Sequence, residues 1–380
     1  MLQFLFFVSL FLALYSYAVY PLLLVLLRPG RRRLPAPSAD ISEKTPPLSL
    51  IITAYNEKNR ISAKLENTLK LVYPGELEII VASDCSDDGT DDTVRGYADH
   101  GVKLVRADEH LGKEYAQKCA VEAATGDILV FSDVATEIPE DALQKLVAHY
   151  ADPAVGAISS EDRFISRDGQ VVGEGLYVRY EMWLRRLESS MAGLVGLSGS
   201  FFSCRREVAE LWDIHAPSDF NTALNCARLG LRAVTAADVL GYYRDLSDPA
   251  REYARKVRTV LRGMSGLGRH LDVLNPAKFG LFAFQVFSHK LMRWLVPVFL
   301  VTTLLLNLLL LGGGLFYKLA ILLQLVFYGT GLVAHLKPRL RENPLLRVVY
   351  FFLQVNVAIA QAWLLYFSGR RMAVWQPSQR

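Results

Sequence analysis

The chain carries a charge-free apolar run over Leu2–Leu27. A bilayer span needs about 20 apolar residues, so this run is long enough to cross a membrane. A secretory signal peptide would begin with basic residues and would have a shorter apolar core. We therefore predict an uncleaved transmembrane anchor over 1–28. The arginine-rich segment Arg28–Arg33 then places the following residues on the cytoplasmic side of the membrane.

The C-terminal quarter of the chain is also apolar. Its long apolar segments are Trp294–Leu311, Phe316–Leu336 and Val348–Phe367. They predict C-terminal transmembrane helices over 294–369. The preceding apolar segment, 277–293, is interrupted by His289 and Lys290, so we predict that it is an interfacial helix.

The distribution of basic residues conflicts with this number of spans. Arg339 and Arg341 place the last loop in the cytoplasm. One span before the central domain and three after it then place the tail, 370–380, outside the cell. The tail nevertheless carries three arginines. The sequence leaves two alternatives: either one span is miscounted, or the charge rule fails for the last helix.

The residues between the two apolar regions have the composition of a globular domain, which we predict over 46–270. The net charge of +4 is small, and the sequence contains no basic-aromatic module that binds nucleic acid. The cysteines, which are Cys85, Cys119, Cys204 and Cys226, form no CxxC pair. This spacing argues against a zinc site and against a disulfide framework. Reduced thiols in the cytosol are the simplest interpretation.

Short apolar segments alternate with segments of helical spacing in the first half of this domain. The predicted strands are Leu48–Thr53, Glu78–Ser83, Val102–Arg106 and Asp127–Ser132, and the predicted helices are Arg60–Leu71, Thr90–His100 and Gly112–Ala124. Strands that alternate with helices form a mainly parallel sheet, so the fold class is α/β. Sheets of this kind bind ligands outside the carboxyl ends of their strands.

Polar clusters follow three of the predicted strands, at Ala54–Glu57, Asp84–Thr90 and Asp133. The second and third have a structural explanation, because their side chains are suited to cap the next helix. They also fit a ligand site, since a carboxylate at this edge can bind a divalent ion that neutralises a diphosphate. Lys113 follows a glycine and either binds phosphate or is solvated.

These clusters are more specific together than alone. The segments Thr53–Glu57, Ser83–Thr90, Gly112–Lys113 and Phe131–Asp133 occur in this order at predicted strand ends. In this order they resemble the family 2 glycosyltransferases, which are inverting enzymes with the GT-A (Rossmann-like) fold. The resemblance covers about residues 49–267, and the flanking apolar helices resemble the membrane-bound branch of the family that makes polysaccharides.

The resemblance implies roles for several residues. Those that would bind the nucleotide are Tyr55, Glu57, Asp84 and Lys113. Asp133 matches the first carboxylate of the family's metal-binding DxD motif, so Mg²⁺ or Mn²⁺ is the expected cofactor. Ala135 stands where the second carboxylate is expected.

An inverting transfer needs a base that takes the proton of the acceptor hydroxyl. In the family an aspartate ahead of a helix supplies this base, and the matching residue here is Asp219. From its position alone, Asp219 is also suited to cap a helix that starts near Phe220, and the two roles are compatible.

Four arginines are spaced by four, three and four residues: Arg251, Arg255, Arg258 and Arg262. They lie on one helical face and would bind a diphosphate or anionic lipid headgroups. By resemblance, Arg255 and Arg258 would bind the diphosphate. Thr259 replaces a tryptophan that stacks on the acceptor sugar in processive relatives. A similar motif, Lys290–Trp294, lies at a membrane boundary, where we interpret it as interfacial anchors.

Two further sites match the acceptor side of the family. Ser198 and Gly199 lie in a small-residue turn after an amphipathic helix, and a core helix followed by a turn explains them equally well. Trp375 lies in a tail that resembles the gating segment of related synthases, and a disordered tail is the alternative.

The sequence thus predicts a multi-pass protein of the cell (inner) membrane with a cytoplasmic catalytic domain. It would move a sugar from a nucleotide-diphospho-sugar, with a UDP-sugar expected, to a glycan or lipid-linked acceptor in polysaccharide synthesis. The alternatives are a single-sugar transferase acting on a lipid carrier and a catalytically silent membrane scaffold. A transporter is disfavoured, because the spans are few and no charge lies deep inside one.

Overall fold

The computed structural model of the chain describes residues 1–28, 45–165, 176–244 and 249–370. Its strands are β1 (Leu48–Ala54), β2 (Leu77–Ser83), β3 (Val102–Arg106), β4 (Ile128–Asp133), β5 (Thr136–Glu137), β6 (Val155–Ile165), β7 (Phe201–Arg205) and β8 (Arg232–Arg244). Within the described residues these strands form one sheet in the order β3-β2-β1-β4-β7-β6-β8-β5.

The first half of the sheet is parallel, as the sequence predicts. Strands β1 to β4 run in the same direction, and Thr53 in β1 pairs with both Ala82 in β2 and Asp133 in β4. The interior of β1 is fully buried, because helices cover both faces of a parallel sheet. The carboxyl ends of β1, β2 and β4 therefore meet at one edge, where the three polar clusters follow.

The second half of the sheet is mixed and was not predicted from the sequence. Strand β7 runs antiparallel to β4 and β6, whereas β6 and β8 are parallel to each other. The predicted α/β fold class is confirmed, with a mixed rather than a mainly parallel sheet.

The helices of the domain that contains the sheet are α3 (Lys58–Thr68), α4 (Thr90–Arg95), α5 (Lys113–Ala123), α6 (Ala142–Ala148), α7 (Leu176–Ser190), α8 (Arg206–Glu210), α9 (Ser218–Arg228) and α10 (Pro249–Arg269). Two of them show how the sheet is covered. Ile61 and Leu65 of α3 pack on one face of the parallel strands, and Ala116 and Ala120 of α5 pack on the other face.

The apolar ends of the chain form α1 (Leu2–Leu14), α2 (Tyr20–Leu27), α11 (Pro276–Val286), α12 (Met292–Leu309), α13 (Leu315–Leu336) and α14 (Pro344–Phe367). A π-helical turn, Tyr15–Val19, joins α1 to α2, and a second one, Phe287–Leu291, joins α11 to α12. The segment 277–293, predicted as a separate interfacial helix, thus continues directly into the next apolar helix.

Four helical segments of the described chain are long and apolar enough to cross a membrane: Leu2–Leu27, Pro276–Leu309, Leu315–Leu336 and Pro344–Phe367. They correspond to the predicted anchor and the predicted C-terminal helices. Most of Arg28–Arg33 and nearly all of the tail 370–380 lie outside the described residues.

The first apolar helices have one end far from the domain that contains the sheet and one end beside it. At the far end, Phe6 packs against Leu310 and Tyr317. At the near end, the Tyr15 hydroxyl lies 2.9 Å from Ser288 Oγ, and the Tyr20 hydroxyl donates to Glu188 in α7 at 2.6 Å. Hydrogen bonds of this kind orient the helices relative to the domain, since buried polar groups need partners.

Helix α14 contacts the near side along most of its length. Phe351, in its second turn, packs on Tyr177 of α7 with ring centroids 4.7 Å apart. In its last turns, the Trp363 indole donates to the Trp294 carbonyl at 2.8 Å. Trp294 lies at the start of α12, about 22 Å along the helix from its far end. Both halves of α14 therefore contact the side of the apolar helices that lies next to the domain.

Candidate active site

A cavity of about 480 Å³ opens at the carboxyl edge of the sheet and extends to the apolar helices. At one end it is lined by Glu57, Lys113 and Asp133, and at the other by residues of α12 and α14. Asp219 lies on its wall between these ends. The cavity thus joins the ligand-binding edge of an α/β sheet to the surface that faces the apolar helices.

Asp84, at the end of β2, is fully buried. Its Oδ1 accepts a hydrogen bond from the Gly112 backbone at 3.2 Å, and its Oδ2 lies 2.9 Å from His110 Nδ1. Burial raises the pKa of Asp84, and these two contacts oppose the rise. The His110 ring also stacks on Tyr55, with centroids 4.2 Å apart. His110 therefore joins two of the predicted nucleotide-binding residues.

Asp133, at the end of β4, is joined to two other elements by Lys113. The Lys113 ammonium lies 2.5 Å from Asp133 Oδ1 and donates to the Gly199 carbonyl at 2.9 Å. Gly112 has a φ of +105°, which a glycine adopts without strain, and it brings the start of α5 to Asp84. Asp84, Lys113 and Asp133 are thereby connected at one edge of the sheet.

Asp219 lies in the first turn of α9, which begins at Ser218 after Pro217. Asp219 is the second residue of the helix, so the expectation that it caps a helix starting near Phe220 is wrong; the cap position is Pro217. Its Oδ1 accepts from the Phe220 backbone at 2.9 Å. A Cβ added at Gly199 would lie 3.3 Å from its Oδ2, so the small-residue turn leaves space for the carboxylate.

The pKa of Asp219 is raised, because burial disfavours the charged carboxylate. The nearby cations Lys113, Arg262 and Lys290 oppose this rise without cancelling it. A carboxyl group with a raised pKa beside a cavity is a frequent property of acid–base residues.

Most of the sequence-predicted site residues line this cavity: Glu57, Lys113, Asp133, Ser198, Gly199, Asp219, Arg255 and Arg258. Tyr55 and Asp84 are connected to it through His110 and Gly112 but are not part of its lining. Trp375 lies outside the described residues. The three aspartates therefore come together through the contacts of Gly112, Lys113 and Gly199.

Parts of this chain are similar in sequence to known proteins. The profile of Glycosyl transferase family 2 matches residues 49–212. An N-acetylglucosaminyltransferase of Bradyrhizobium elkanii is 30% identical over 145 residues, which are 37% of this chain and 73% of the relative. The chain belongs to glycosyltransferase family 2. Its sheet, with the polar edge described above, is the GT-A domain of that family.

Two other comparisons extend this result. The poly-β-1,6-N-acetyl-D-glucosamine synthase of Staphylococcus epidermidis is 26% identical over 159 residues, or 40% of this chain and 38% of the synthase. The chain spans about a third of the length of the first curated relatives it matches. A solved mannosyltransferase of Pyrobaculum calidifontis, in complex with GDP-Man and Mn²⁺, has the same fold, with a TM-score of 0.74 and 22% identity over 97% of this chain and 100% of that one.

The carboxyl edge of the sheet at Asp133 fits a divalent ion. Mg²⁺ is commonly bound by one or two carboxylates together with substrate phosphates, so a single Asp133 is sufficient. In the described parts of the chain, no group of three or more His, Cys, Asp or Glu residues could bind an ion without a substrate. Ala135, which stands where the second carboxylate is expected, lines the same cavity.

Three of the four spaced arginines of α10 line the cavity. Arg255, Arg258 and Arg262 are among its lining residues. Arg262 forms an ion pair with Glu114 of α5. The pKa of Arg258 is lowered by burial and by the two neighbouring arginines, because like charges disfavour one another. This arrangement suits an anionic ligand, which would relieve the repulsion.

Three residues of the site were missed in the sequence analysis. His110 bridges Asp84 and Tyr55, as described above. Asp162 of β6 accepts hydrogen bonds from the hydroxyls of Ser198 at 2.5 Å and Ser200 at 2.8 Å, which fixes the turn on the acceptor side. A lone histidine in a loop and an aspartate in a polar strand give no periodic signal.

The third is Lys64, which lies beneath the end of β4. Its ammonium donates to Ser132 Oγ at 2.7 Å and to the Thr136 carbonyl at 2.5 Å. Burial lowers the pKa of Lys64 to about 7. These contacts fix the strand end that carries Asp133.

The interpretation of Lys290–Trp294 as interfacial anchors is wrong. Lys290, Arg293 and Trp294 all line the cavity rather than the outer surface of the apolar helices. The reason is the π-helical turn Phe287–Leu291, whose His289 lies between two carboxylates of α7, 2.6 Å from Glu188 and 3.1 Å from Glu181. This contact turns the following residues towards the domain.

The Trp294 indole reaches the position next to Thr259. A Cβ added at Gly263, one helical turn after Thr259, would lie 3.0 Å from the indole. Thr259, Gly263 and Trp294 all line the cavity. The aromatic side chain that is missing from α10 is therefore partly replaced by one from α12.

Proposed function

We propose that the protein is an inverting transferase that moves a sugar from a nucleotide-diphospho-sugar, for which we expect a UDP-sugar, to an acceptor at the membrane. The observation that carries this proposal is the position of Asp219, in the wall of a cavity that begins at the nucleotide edge and ends at the apolar helices. Relatives named as N-acetylglucosaminyltransferases support a hexosamine donor.

The donor edge would bind the nucleotide through Tyr55, Glu57 and Asp84. Lys113 would bind the diphosphate on one side and Arg258 on the other, because both cations line the same cavity. Asp133 would hold Mg²⁺ or Mn²⁺, an ion that neutralises the negative charge of the leaving diphosphate.

The transfer itself needs one proton to move. The acceptor hydroxyl oxygen bonds to the anomeric carbon of the donor, the bond from that carbon to the diphosphate breaks, and the electron pair leaves with the nucleotide. Asp219 takes the hydroxyl proton as general base. Its raised pKa brings it closer to the operating pH, which makes it a more effective base than an ordinary surface aspartate.

A screen of activated sugars tests this function. The purified protein in nanodiscs is incubated with UDP-, GDP- and other nucleotide sugars, and nucleotide release is measured with and without a chelator. We expect slow release from one donor class, faster release with acceptor, and loss of release on chelation. Release from none of the donors would favour the catalytically silent scaffold. The size of the products separates polymer synthesis from transfer of a single sugar.

We also propose that α14 lies along the membrane surface and does not cross the bilayer. Contacts in both halves of the helix, at Phe351 and Trp363, are with the near side of the molecule. It also carries Gln354 and Gln361, which bond to Lys256 and Tyr253 of α10. Amphipathic helices of this kind lie in the interface. Three spans then place the tail on the side of the catalytic domain, and the conflict between the charge rule and the span count disappears.

Reporter fusions in bacterial cells test this topology. Green fluorescent protein fluoresces when it is fused to a cytoplasmic end and not when it is exported unfolded. We expect fluorescence from a fusion after Arg380 and none from a fusion after Gly314, which lies between α12 and α13. A dark Arg380 fusion that is expressed at the same level would show that α14 crosses the bilayer.

A further inference from the structure

Asp162 of β6 lines the cavity but has no part in the transfer mechanism above. Its carboxylate accepts hydrogen bonds from the Ser198 hydroxyl at 2.5 Å and from the Ser200 hydroxyl at 2.8 Å. The Ser160 hydroxyl lies farther away, at 3.4 Å from the same carboxylate. Two hydrogen bonds of ordinary length leave part of the carboxylate unused, because its oxygens offer about four acceptor sites.

Asp162, Ser198 and Ser200, which we call the Asp162 patch, present hydrogen-bond acceptors to the cavity. All three side chains line it. A serine hydroxyl carries one proton, and the protons of both serines are directed to the Asp162 carboxylate. The serine oxygens therefore keep only acceptor capacity. A surface of this kind binds groups that donate hydrogen bonds and is unsuited to phosphate, which accepts them.

The Asp162 patch lies between the residue assigned to the divalent ion and the residue assigned as base. On one side, the Ser200 carbonyl accepts a hydrogen bond from the Asp133 backbone at 3.0 Å. On the other side, a Cβ added at Gly199 would lie 3.3 Å from Asp219 Oδ2. The turn 198–200 therefore connects the neighbourhoods of Asp133 and Asp219.

This position corresponds to one part of the substrate. In the proposed reaction the anomeric carbon is bonded to the diphosphate, which lies at Asp133, and is attacked by a hydroxyl that faces Asp219. The sugar that contains this carbon must therefore lie between the two aspartates, beside the Asp162 patch. Hydroxyl groups are the hydrogen-bond donors of a sugar ring, so they match the acceptor atoms of the patch.

Asp162 accepts hydrogen bonds at both oxygens only while it is ionised. Burial raises the pKa of Asp162, and the hydrogen bonds from Ser198 and Ser200 and the positive charge of Arg185 oppose this rise. Arg185 Nη2 donates to the Ser159 hydroxyl oxygen at 2.5 Å, which fixes the cation in place. The surroundings thus favour the charged carboxylate, and hydrogen bonds to a charged group are about twice as strong as those between neutral groups.

We propose that Asp162 binds a hydroxyl group of the sugar that is transferred, and that it selects among donors that carry the same nucleotide. This inference rests on the proposed transfer reaction and adds a residue that determines its specificity. Asp162 takes part in no covalent step and keeps its charge throughout the reaction. A donor that lacks this hydroxyl, or carries it in the opposite configuration, loses the hydrogen bond to the carboxylate.

Donor analogues that each lack one sugar hydroxyl test the inference with the full-length protein in nanodiscs. Their affinities are measured by calorimetry without acceptor. The parent compound is the donor that the screen selects or, if none is hydrolysed, UDP-N-acetylglucosamine. A hydrogen bond to a charged group changes affinity by about 10–100-fold. We expect one analogue to bind the wild type more weakly than the parent compound by this factor.

The substitution Asp162→Asn should remove this discrimination. We expect the parent compound to bind the variant about 10–100-fold more weakly, and the sensitive analogue to bind it as tightly as it binds the wild type. The affinity of the nucleoside diphosphate, which has no sugar, should stay the same. Asp152→Asn is the matched control and should give wild-type affinities, because Asp152 precedes the same strand at its other end, outside the cavity lining.

Several results would overturn the inference without affecting the proposed function. If Asp162 only fixes the turn, Asp162→Asn weakens the parent compound and all its analogues by the same factor. Equal affinities of the analogues for the wild type would also overturn it, and this measurement needs no variant. So would a variant in which only the KM of the acceptor rises. If no donor is hydrolysed, the proposed function fails, whereas the affinities for UDP-N-acetylglucosamine and its analogues still test Asp162. If no nucleotide sugar binds, both fail.

Discussion

Replacing Asp219 with asparagine should reduce sugar transfer by about 10²–10⁴-fold, the contribution typical of a general base. Asparagine has the same shape and can still accept the hydrogen bond from the Phe220 backbone, so α9 should keep its geometry. Nucleotide binding should be unchanged, because Asp219 faces the acceptor side. The measurement is transfer in nanodiscs beside nucleotide affinity by calorimetry.

The pH dependence provides a second test of Asp219. The base acts only when it is deprotonated, so transfer is lost as the pH falls through its pKa. Because burial raises this pKa, the acidic limb of kcat/KM should lie above the range of an ordinary aspartate. Asp272→Asn is the control, since Asp272 is exposed and pairs with Arg228 at 2.8 Å outside the cavity. An active Asp219→Asn variant would contradict the assignment of the base.

The substitution Asp133→Asn should have the second-largest effect. Loss of the carboxylate removes the one acidic ligand that we assign to the divalent ion. Charge stabilisation by such an ion amounts to several kcal/mol, so transfer should fall by about 10²-fold or more. The concentration of Mn²⁺ or Mg²⁺ that gives half-maximal activity should also rise. Nucleotide release is measured across a titration of each ion.

Strand β4 offers a control for this experiment. Asp127 precedes the same strand at the opposite edge of the sheet and is exposed. Asp127→Asn should leave both transfer and ion dependence as they are in the wild type. An Asp133→Asn variant with normal ion dependence would show that the ion is bound elsewhere or is not needed.

The parallel half of the sheet could be predicted because its strands are short apolar runs that end in polar clusters. The mixed half could not, since its strands lack that signal. Strand β6 buries Ser159, Ser160 and Glu161. Their partners come from distant elements: Glu161, for example, pairs with Arg186 of α7 at 2.5 Å. From the sequence alone, a segment of polar residues is predicted as a loop, even where tertiary contacts bury those residues in a strand.

The donor side of the site was predictable for a similar reason. Asp84 and Asp133 follow apolar strands, and strand ends of a parallel sheet meet at one edge. On the acceptor side, Ser198, Gly199 and Asp219 were predicted from the family resemblance, whereas the position of Trp294 was not, because it comes from a distant segment of the chain. Trp294 follows Thr259 by 35 positions in the sequence. Only the tertiary packing of the helices brings the two residues close together.

The residue types of Lys290–Trp294 led to a wrong prediction. Basic and aromatic residues at the end of an apolar helix are typical of interfacial anchors. The same residue types line a cavity when the helix is rotated, and here a π-helical turn with His289 between Glu181 and Glu188 sets the rotation. A π-helical turn rotates the residues that follow it, and this rotation cannot be read from the hydropathy pattern of the sequence.

The most direct test of the account is an electron cryo-microscopy structure with an unreactive analogue of the donor that the screen selects. We expect the nucleotide against Tyr55 and Asp84, the diphosphate between Lys113 and Arg258, and the sugar directed towards Asp219. A nucleotide bound away from this edge, or a sugar whose anomeric carbon faces away from Asp219, would contradict the proposal that the three aspartates serve one reaction.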